Sequence, residues 1–256
     1  MTKYTTWLAA AVLALGITQP AGAVNITDDY WGATPPTSYS DVVGAPAQFD
    51  ISDMDVSLVG NTLTVTINTN FSGSTNGTLD AYFGDLFLAS AWDPDTSDPN
   101  GANYLQDDAA SGTTWEYGFA LDGRNVTTGA VGSTTGDSSG TGSLYDFSST
   151  DNSVNAYLSD DYFGSGYREG QEVVVKDTTT SIGTGGTWES KAGYITFEID
   201  VTGTTLSSDG IAVHWAMTCA NDVIEGFVPA PGILLVMAMG LFGIAGSSVA
   251  RKRKTA

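Results

Sequence analysis

The stretch Met54-Asp55-Val56-Ser57-Leu58-Val59-Gly60-Asn61-Thr62-Leu63-Thr64-Val65-Thr66-Ile67 decides the fold class. Met54, Val56 and Leu58 alternate with Asp55 and Ser57, and Leu63, Val65 and Ile67 alternate with threonines. A side-chain period of two puts each apolar set on one face of a strand. Gly60-Asn61 between the runs is turn chemistry with glycine first, so the stretch reads as a β-hairpin with one buried face. Phe49 and Ile51 have the opposite parity from Met54, which requires a bulge or loop around Ser52-Asp53.

Working outward, Tyr82 to Ala89 is apolar at both parities, with Phe83 and Phe87 on one side and Leu86 and Leu88 on the other, as in a strand covered on both faces. Trp115, Tyr117, Phe119 and Leu121 form a one-sided strand, as do Ile195, Phe197, Ile199 and Val201, and finally Ile211, Val213, Trp215 and Met217. Leu144 to Phe147 and Val173 to Lys176 are weaker strands. About eight strands and no soluble helix give an all-β body, expected to be a β-sandwich or jelly roll. Residues 127 to 143 are Gly, Ser or Thr at 14 of 17 positions, and 178 to 187 are similar; both read as flexible loops.

Charge narrows the partners. The 29 acids comprise 23 Asp and 6 Glu, a bias toward the turn-forming acid. Between Asp28 and Glu225 only Arg124, Arg168, Lys176 and Lys191 oppose them, so four basic residues against 29 acids leave −25. Nucleic acid is excluded as a partner, because phosphate binding needs a basic surface. Such a charge attracts divalent cations and keeps an exported protein soluble. Cys219 is the single cysteine, so no intrachain disulfide forms.

The two ends carry addresses. Residues 1–23 read as a signal peptide: Lys3 supplies the positive start, Trp7 to Ile17 the apolar run, and Ala21-Gly22-Ala23 the small-residue cleavage site before Val24. The other end is uncharged from Gly226 to Ala250, and 233–250 as a helix would span about 27 Å, close to a bilayer core. Pro229 and Pro231 stop that helix from extending backward. Arg251, Lys252, Arg253 and Lys254 would stay cytoplasmic, leaving the body outside.

The order of Val228-Pro229-Ala230-Pro231-Gly232, one span and a basic cluster resembles the PEP-CTERM sorting signal. Where that family has Val-Pro-Glu-Pro, this chain has Ala230 in place of the acid. The resemblance implies an exosortase-type processing enzyme as partner, in Gram-negative bacteria that make exopolysaccharide. It also implies inner-membrane anchoring in transit and a final site at the cell surface or outside the cell. The segment His214 to Gly226 is similar to the lead-in that many proteobacterial proteins carry before this tail. The expected organisation is therefore 1–23 signal peptide, 24–226 extracytoplasmic β-sandwich, and 227–256 sorting tail with motif 228–232, transmembrane helix 233–250 and basic cluster 251–254.

Chemistry in the body is sparse. Gly136-Asp137-Ser138-Ser139-Gly140 matches the nucleophile-elbow pattern but sits in low-complexity sequence, away from any strand-to-helix turn. His214, the single histidine, has the parity opposite to Val213 and Trp215 and reads as a surface residue rather than a general base. Cys219 shares the inward parity of Trp215 and reads as a buried thiol. Asp93, Asp95, Asp98 and Asn100, followed by Asp107 and Asp108, form the densest oxygen-ligand run; calcium takes six to eight oxygens in flexible geometry, so it is the one cofactor the sequence admits. Asp50, Asp53 and Asp55 form a second, weaker cluster. Among loop aromatics Tyr30, Trp31, Trp92, Tyr104 and Trp188, the flat tryptophans Trp31, Trp92 and Trp188 are candidates for stacking on glycan. Glu116 and Asp122 stand out no more than other acids as a hydrolase pair.

These readings favour a non-enzymatic surface or matrix protein working in an exopolysaccharide or biofilm matrix. The alternative is a carbohydrate-binding or calcium-dependent binding module, and the third reading is an extracellular hydrolase.

Overall fold

The computed structural model describes residues 23–32, 41–73, 81–97, 104–131, 137–163, 168–206 and 210–229. The leader through Gly22, and the tail from Ala230 with Pro231, Gly232, the span and the Arg251–Lys254 cluster, lie outside the described residues. Among the described residues no helix is long and apolar enough to cross a membrane.

In chain order the elements are β1 (Val24–Thr27), the helical turn α1 (Pro46–Phe49), β2 (Ile51–Val59), β3 (Thr62–Thr69), β4 (Leu86–Ala89), β5 (Tyr117–Leu121) and β6 (Ser138–Asp146). Then come α2 (Asn152–Asn155), β7 (Ala156–Leu158), α3 (Ser159–Phe163), β8 (Glu172–Val175), β9 (Ser181–Lys191), β10 (Tyr194–Asp200), β11 (Gly210–Ala216) and β12 (Val223–Pro229). The hairpin forms as its alternation requires, with Val56 opposite Val65 and Met54 opposite Ile67, and the register shifts between Ile51 and Asp53. Parity alone had demanded that bulge.

Ten strands make one antiparallel sheet in the order β1-β2-β3-β10-β9-β6-β5-β4-β11-β12, and β12 comes round beside β1 and β2 to nearly close a barrel. This corrects the sandwich expectation, and the cause is specific. The Gly/Ser/Thr-rich segments read as loops in part form strands: 138–143 opens β6 and 181–187 opens β9, and the two strands pair from Ser138–Ser190 to Tyr145–Ser181. Without them the sheet would fall into two halves, β1-β2-β3-β10 and β5-β4-β11-β12, the two layers of a sandwich. Glycine is required because the backbone is crowded. A Cβ on Gly186 would lie 2.1 Å from the Glu198 carbonyl oxygen, and one on Gly142 would lie 2.4 Å from the Phe119 ring. Glycines within strands mark such close approaches.

The barrel interior holds the main core, with Met54, Leu63, Phe119, Leu144, Phe197 and Trp215 fully buried. The short β7–β8 ribbon lies over the outer face of β4, β5 and β11. Beneath it Phe87, Trp115, Phe147, Val175 and Ala212 form a second cluster. Two sequence readings shift here. Strand β4 begins only at Leu86, and the irregular chain before it turns Phe83 to the same core as Leu86 and Leu88, away from Phe87. Trp115 precedes β5 and packs in the outer cluster, not with Tyr117, Phe119 and Leu121. All seven residues of β11 are buried, because both of its faces are covered.

Candidate functional site

Among the described residues, sheet edges β1 and β12 have no hydrogen-bonded partner strand on their facing sides. They meet through side chains: the Ile26 methyl lies 2.7 Å from where a Cβ on Gly226 would be. At one end of this seam three acids converge. Asp28 follows β1, Asp222 precedes β12, and Asp41 lies in the segment leading to α1; one carboxylate oxygen of each is within 4.8 Å of the others. Asp222 is wholly buried and accepts the backbone N–H of Ile51 at 2.6 Å and of Val223 at 3.0 Å. Both oxygens of Asp28, and Oδ1 of Asp41, are shut off from solvent with no donor among the described residues.

Arg168 is the nearby cation, 0% exposed, and donates to the Ala220 carbonyl at 3.2 Å and the Asp41 carbonyl at 2.5 Å. One positive charge among three acids leaves the group short of neutral. Burial, followed by the charges of Asp222, Asp41 and Asp50, pushes the Asp28 carboxyl up to about 10 against the opposing pull of Arg168. Asp222 is pushed up to about 8 by burial and then by Asp41. Burial also raises Asp41.

A second buried polar centre lies on the outer face of β11. His214 is 0% exposed, which corrects the surface reading: its parity does point outward, but β8 and the loop before β5 cover that face. Its Nε2 is 2.7 Å from the Glu172 carbonyl oxygen, an acceptor only, so Nε2 carries a hydrogen. Nδ1 is 3.1 Å from Glu225 Oε2. Glu225 Oε1 accepts Trp92 Nε1–H at 2.6 Å and the Thr113 hydroxyl at 3.0 Å. Burial alone would lower the His214 pKa, yet the Glu225 hydrogen bond and the charges of Glu172 and Glu225 outweigh it and hold it above its ordinary value. Burial pushes Glu172 up to about 7 despite the opposing charge of His214. The imidazole thus has both nitrogens engaged and no path to solvent, a geometry that fixes loops to the barrel.

The residues singled out from sequence are dispersed. Asp93 and Asp95 lie on the loop after β4, where Asp95 accepts the Ser97 N–H; Asp98 and Asn100 lie outside the described residues. Asp108 caps the Ala110 and Ser111 N–H groups, while Asp107 is buried and raised to about 9 by burial and then by Glu225. Asp53 and Asp55 each accept an amide hydrogen from Asn25, and Asn68 gives Asp53 a second. Trp31 and Trp92 are half-buried, and Trp92 is tied to Glu225 with its ring 5.5 Å from that of Tyr104. Trp188 lies in β9 with its ring against Phe83 in the core and offers no open face. Ser138 opens strand β6, so the elbow-like pattern has no strand-to-helix turn. Cys219 is buried, which pushes its thiol up to about 12. Ala23 and Val24 stand at the start of β1, and Val228 and Pro229 pair with Ile211 and Gly210 in the last strand.

A shallow surface groove of about 470 Å³ lies between the Asp108–Ala110 turn and Thr150–Ser153. Its acids are already used: Asp151 accepts the Ser153 N–H and hydroxyl, as Asp108 serves its own turn. No family model matches this chain, and neither a curated protein nor a solved structure matches it.

Proposed function

We propose that the chain is an exported, non-enzymatic surface or matrix protein whose β-barrel body is delivered by a leader and a PEP-CTERM-like tail. The observation that carries this reading is the extent of the sheet. Among the described residues it runs from β1, which opens at Val24 beside the expected cleavage site, to β12, which holds Val228 and Pro229 of the expected sorting motif.

Two further features support it. The histidine and cysteine of the body, the side chains best suited to acid–base or nucleophilic work at neutral pH, are both packed inside, and both ring nitrogens of His214 are held by hydrogen-bond partners. The threonine face of β3, with Thr64 and Thr66 half-exposed, and the acid-and-amide face of β2 present a polar surface suited to contact with a hydrated polysaccharide matrix. The body acts there by adhesion or matrix interaction, and the tail's partner is the exosortase-type enzyme.

The test is fractionation of cells that carry the sorting enzyme, comparing wild type with a Pro229→Ala/Pro231→Ala variant. Wild-type protein is expected at the surface or in the medium, and the variant is expected to accumulate in the inner membrane. Equal distribution of the two would remove the processing half of the reading; retention of both in the cytoplasm would remove export as well.

A further inference from the structure

We propose that a divalent cation, calcium by the chemistry of its donors, binds Asp28, Asp41 and Asp222 and clasps the open seam of the barrel. The donors are oxygen only, which suits a hard cation. Two oxygens on one calcium, each about 2.4 Å from it, can be at most about 4.8 Å apart. The three carboxylates meet that limit pairwise. The charge also fits: three acids and the buried Arg168 sum to two negative charges, which one divalent ion cancels.

Unmet donors and acceptors distinguish this group from a solvated acidic patch. Asp28 turns its carboxylate into the cluster with both oxygens buried and no hydrogen-bond donor among the described residues. Asn221, 2% exposed and next in the chain to Asp222, donates its amide to the Val43 carbonyl while its Oδ1 has no donor among the described residues. Buried polar groups are almost always paired, so such a concentration marks a missing partner.

Position gives the ion its role. Asp28 ends the β1 edge, Asp222 begins the β12 edge, and these two edges are joined by packing without a hydrogen-bond ladder. Asp222 also accepts the Ile51 N–H, which places the ion against the first residue of β2. A cation here ties both edges to the loop that carries Asp41. The proposal is independent of how the chain is exported.

The experiment is calorimetric titration of the full chain in detergent with CaCl₂, with thermal melts and amide hydrogen exchange with and without the ion. Wild type is expected to bind one calcium and to melt roughly 5–10 °C higher at hundredfold excess over Kd. Exchange is expected to slow along Val24–Thr27 and Val223–Val228. Asp28→Asn removes charge without breaking a hydrogen bond, so it is expected to stay folded, to melt in chelator no lower than wild type, and to bind calcium at least tenfold more weakly. Asp95→Asn, on the exposed loop, is expected to bind as wild type does. No heat at millimolar calcium, undiminished binding by Asp28→Asn, loss of binding in Asp95→Asn, or slowed exchange away from the seam would each overturn the proposal.

Discussion

Removing the Asp85 carboxylate is expected to cost the fold about 4 kcal/mol. Asp85 is 1% exposed and lies just before β4. Its Oδ1 accepts the Leu121 N–H at 2.9 Å and the Arg124 guanidinium at 2.6 Å, and Oδ2 accepts the Val175 N–H at 2.8 Å. One side chain thus ties the end of β5 and the outer strand β8 to the barrel. In Asp85→Ala two buried N–H groups lose their acceptor, each worth roughly 1–3 kcal/mol. The Arg124 side chain, 4% exposed, is left charged. Breaking such a buried pair typically costs about 3–5 kcal/mol, and because the losses share one site they overlap rather than add. Urea unfolding followed by tryptophan fluorescence measures the loss from the shift in midpoint at constant slope. Asp85→Ala/Arg124→Met removes the orphaned charge and is expected to regain more than about 1 kcal/mol relative to Asp85→Ala alone. A loss below about 1 kcal/mol, or a double variant as unstable as the two single losses summed, would refute the reasoning.

Three other outcomes are expected. Gly186→Ala should cost about 3 kcal/mol, because its Cβ meets the Glu198 backbone oxygen and the β9–β10 ladder must yield; Thr187→Ala, one residue on and exposed, should stay within about 0.5 kcal/mol of wild type in the same urea assay. Phe197→Ala empties the centre of the barrel beside Phe119, whose ring is 6.2 Å away, and should cost about 3–5 kcal/mol by thermal or urea unfolding. Stability in chelator should fall as pH rises from mild acid toward 9. Glu172 and Asp107 are raised to about 7 and about 9, so the folded state holds protons that the unfolded state has already released. Their contribution is complete below the ordinary carboxylate range and is lost as pH passes through the raised values; His214, also raised, has the same sign. A urea midpoint that climbs between pH 5 and pH 9 would contradict this.

Strands with strict alternation were legible because periodicity reports burial on one face. The β2–β3 hairpin, its bulge, β10 and the inward face of β11 all follow from that rule. Strand β9 and the glycine-rich first part of β6 were not legible, although the end of β6 at Leu144 was read as a weak strand, because glycine carries no hydrophobic signal and is selected there by crowding from Phe119 and Glu198, which only the fold creates. That one omission turned a barrel into a sandwich. His214 shows the limit of parity: its outward direction was readable, but the β7–β8 ribbon that covers it comes from a distant segment. The seam acids were invisible for the same reason. Asp28, Asp41 and Asp222 stand in three separate segments with no spacing motif, whereas the dense Asp93–Asp108 run attracted attention by proximity in sequence alone. Asp222 even lay within the lead-in to the tail.

The most direct test of the account is the intact mass of the native protein recovered from membrane, surface and medium fractions of a host that carries the sorting enzyme. The account expects a surface or medium species that begins at Val24 and ends close to the last strand, near Val228, with the span and basic cluster removed. A cytoplasmic species that still begins at Met1, or a released species that still ends at Ala256, would contradict it.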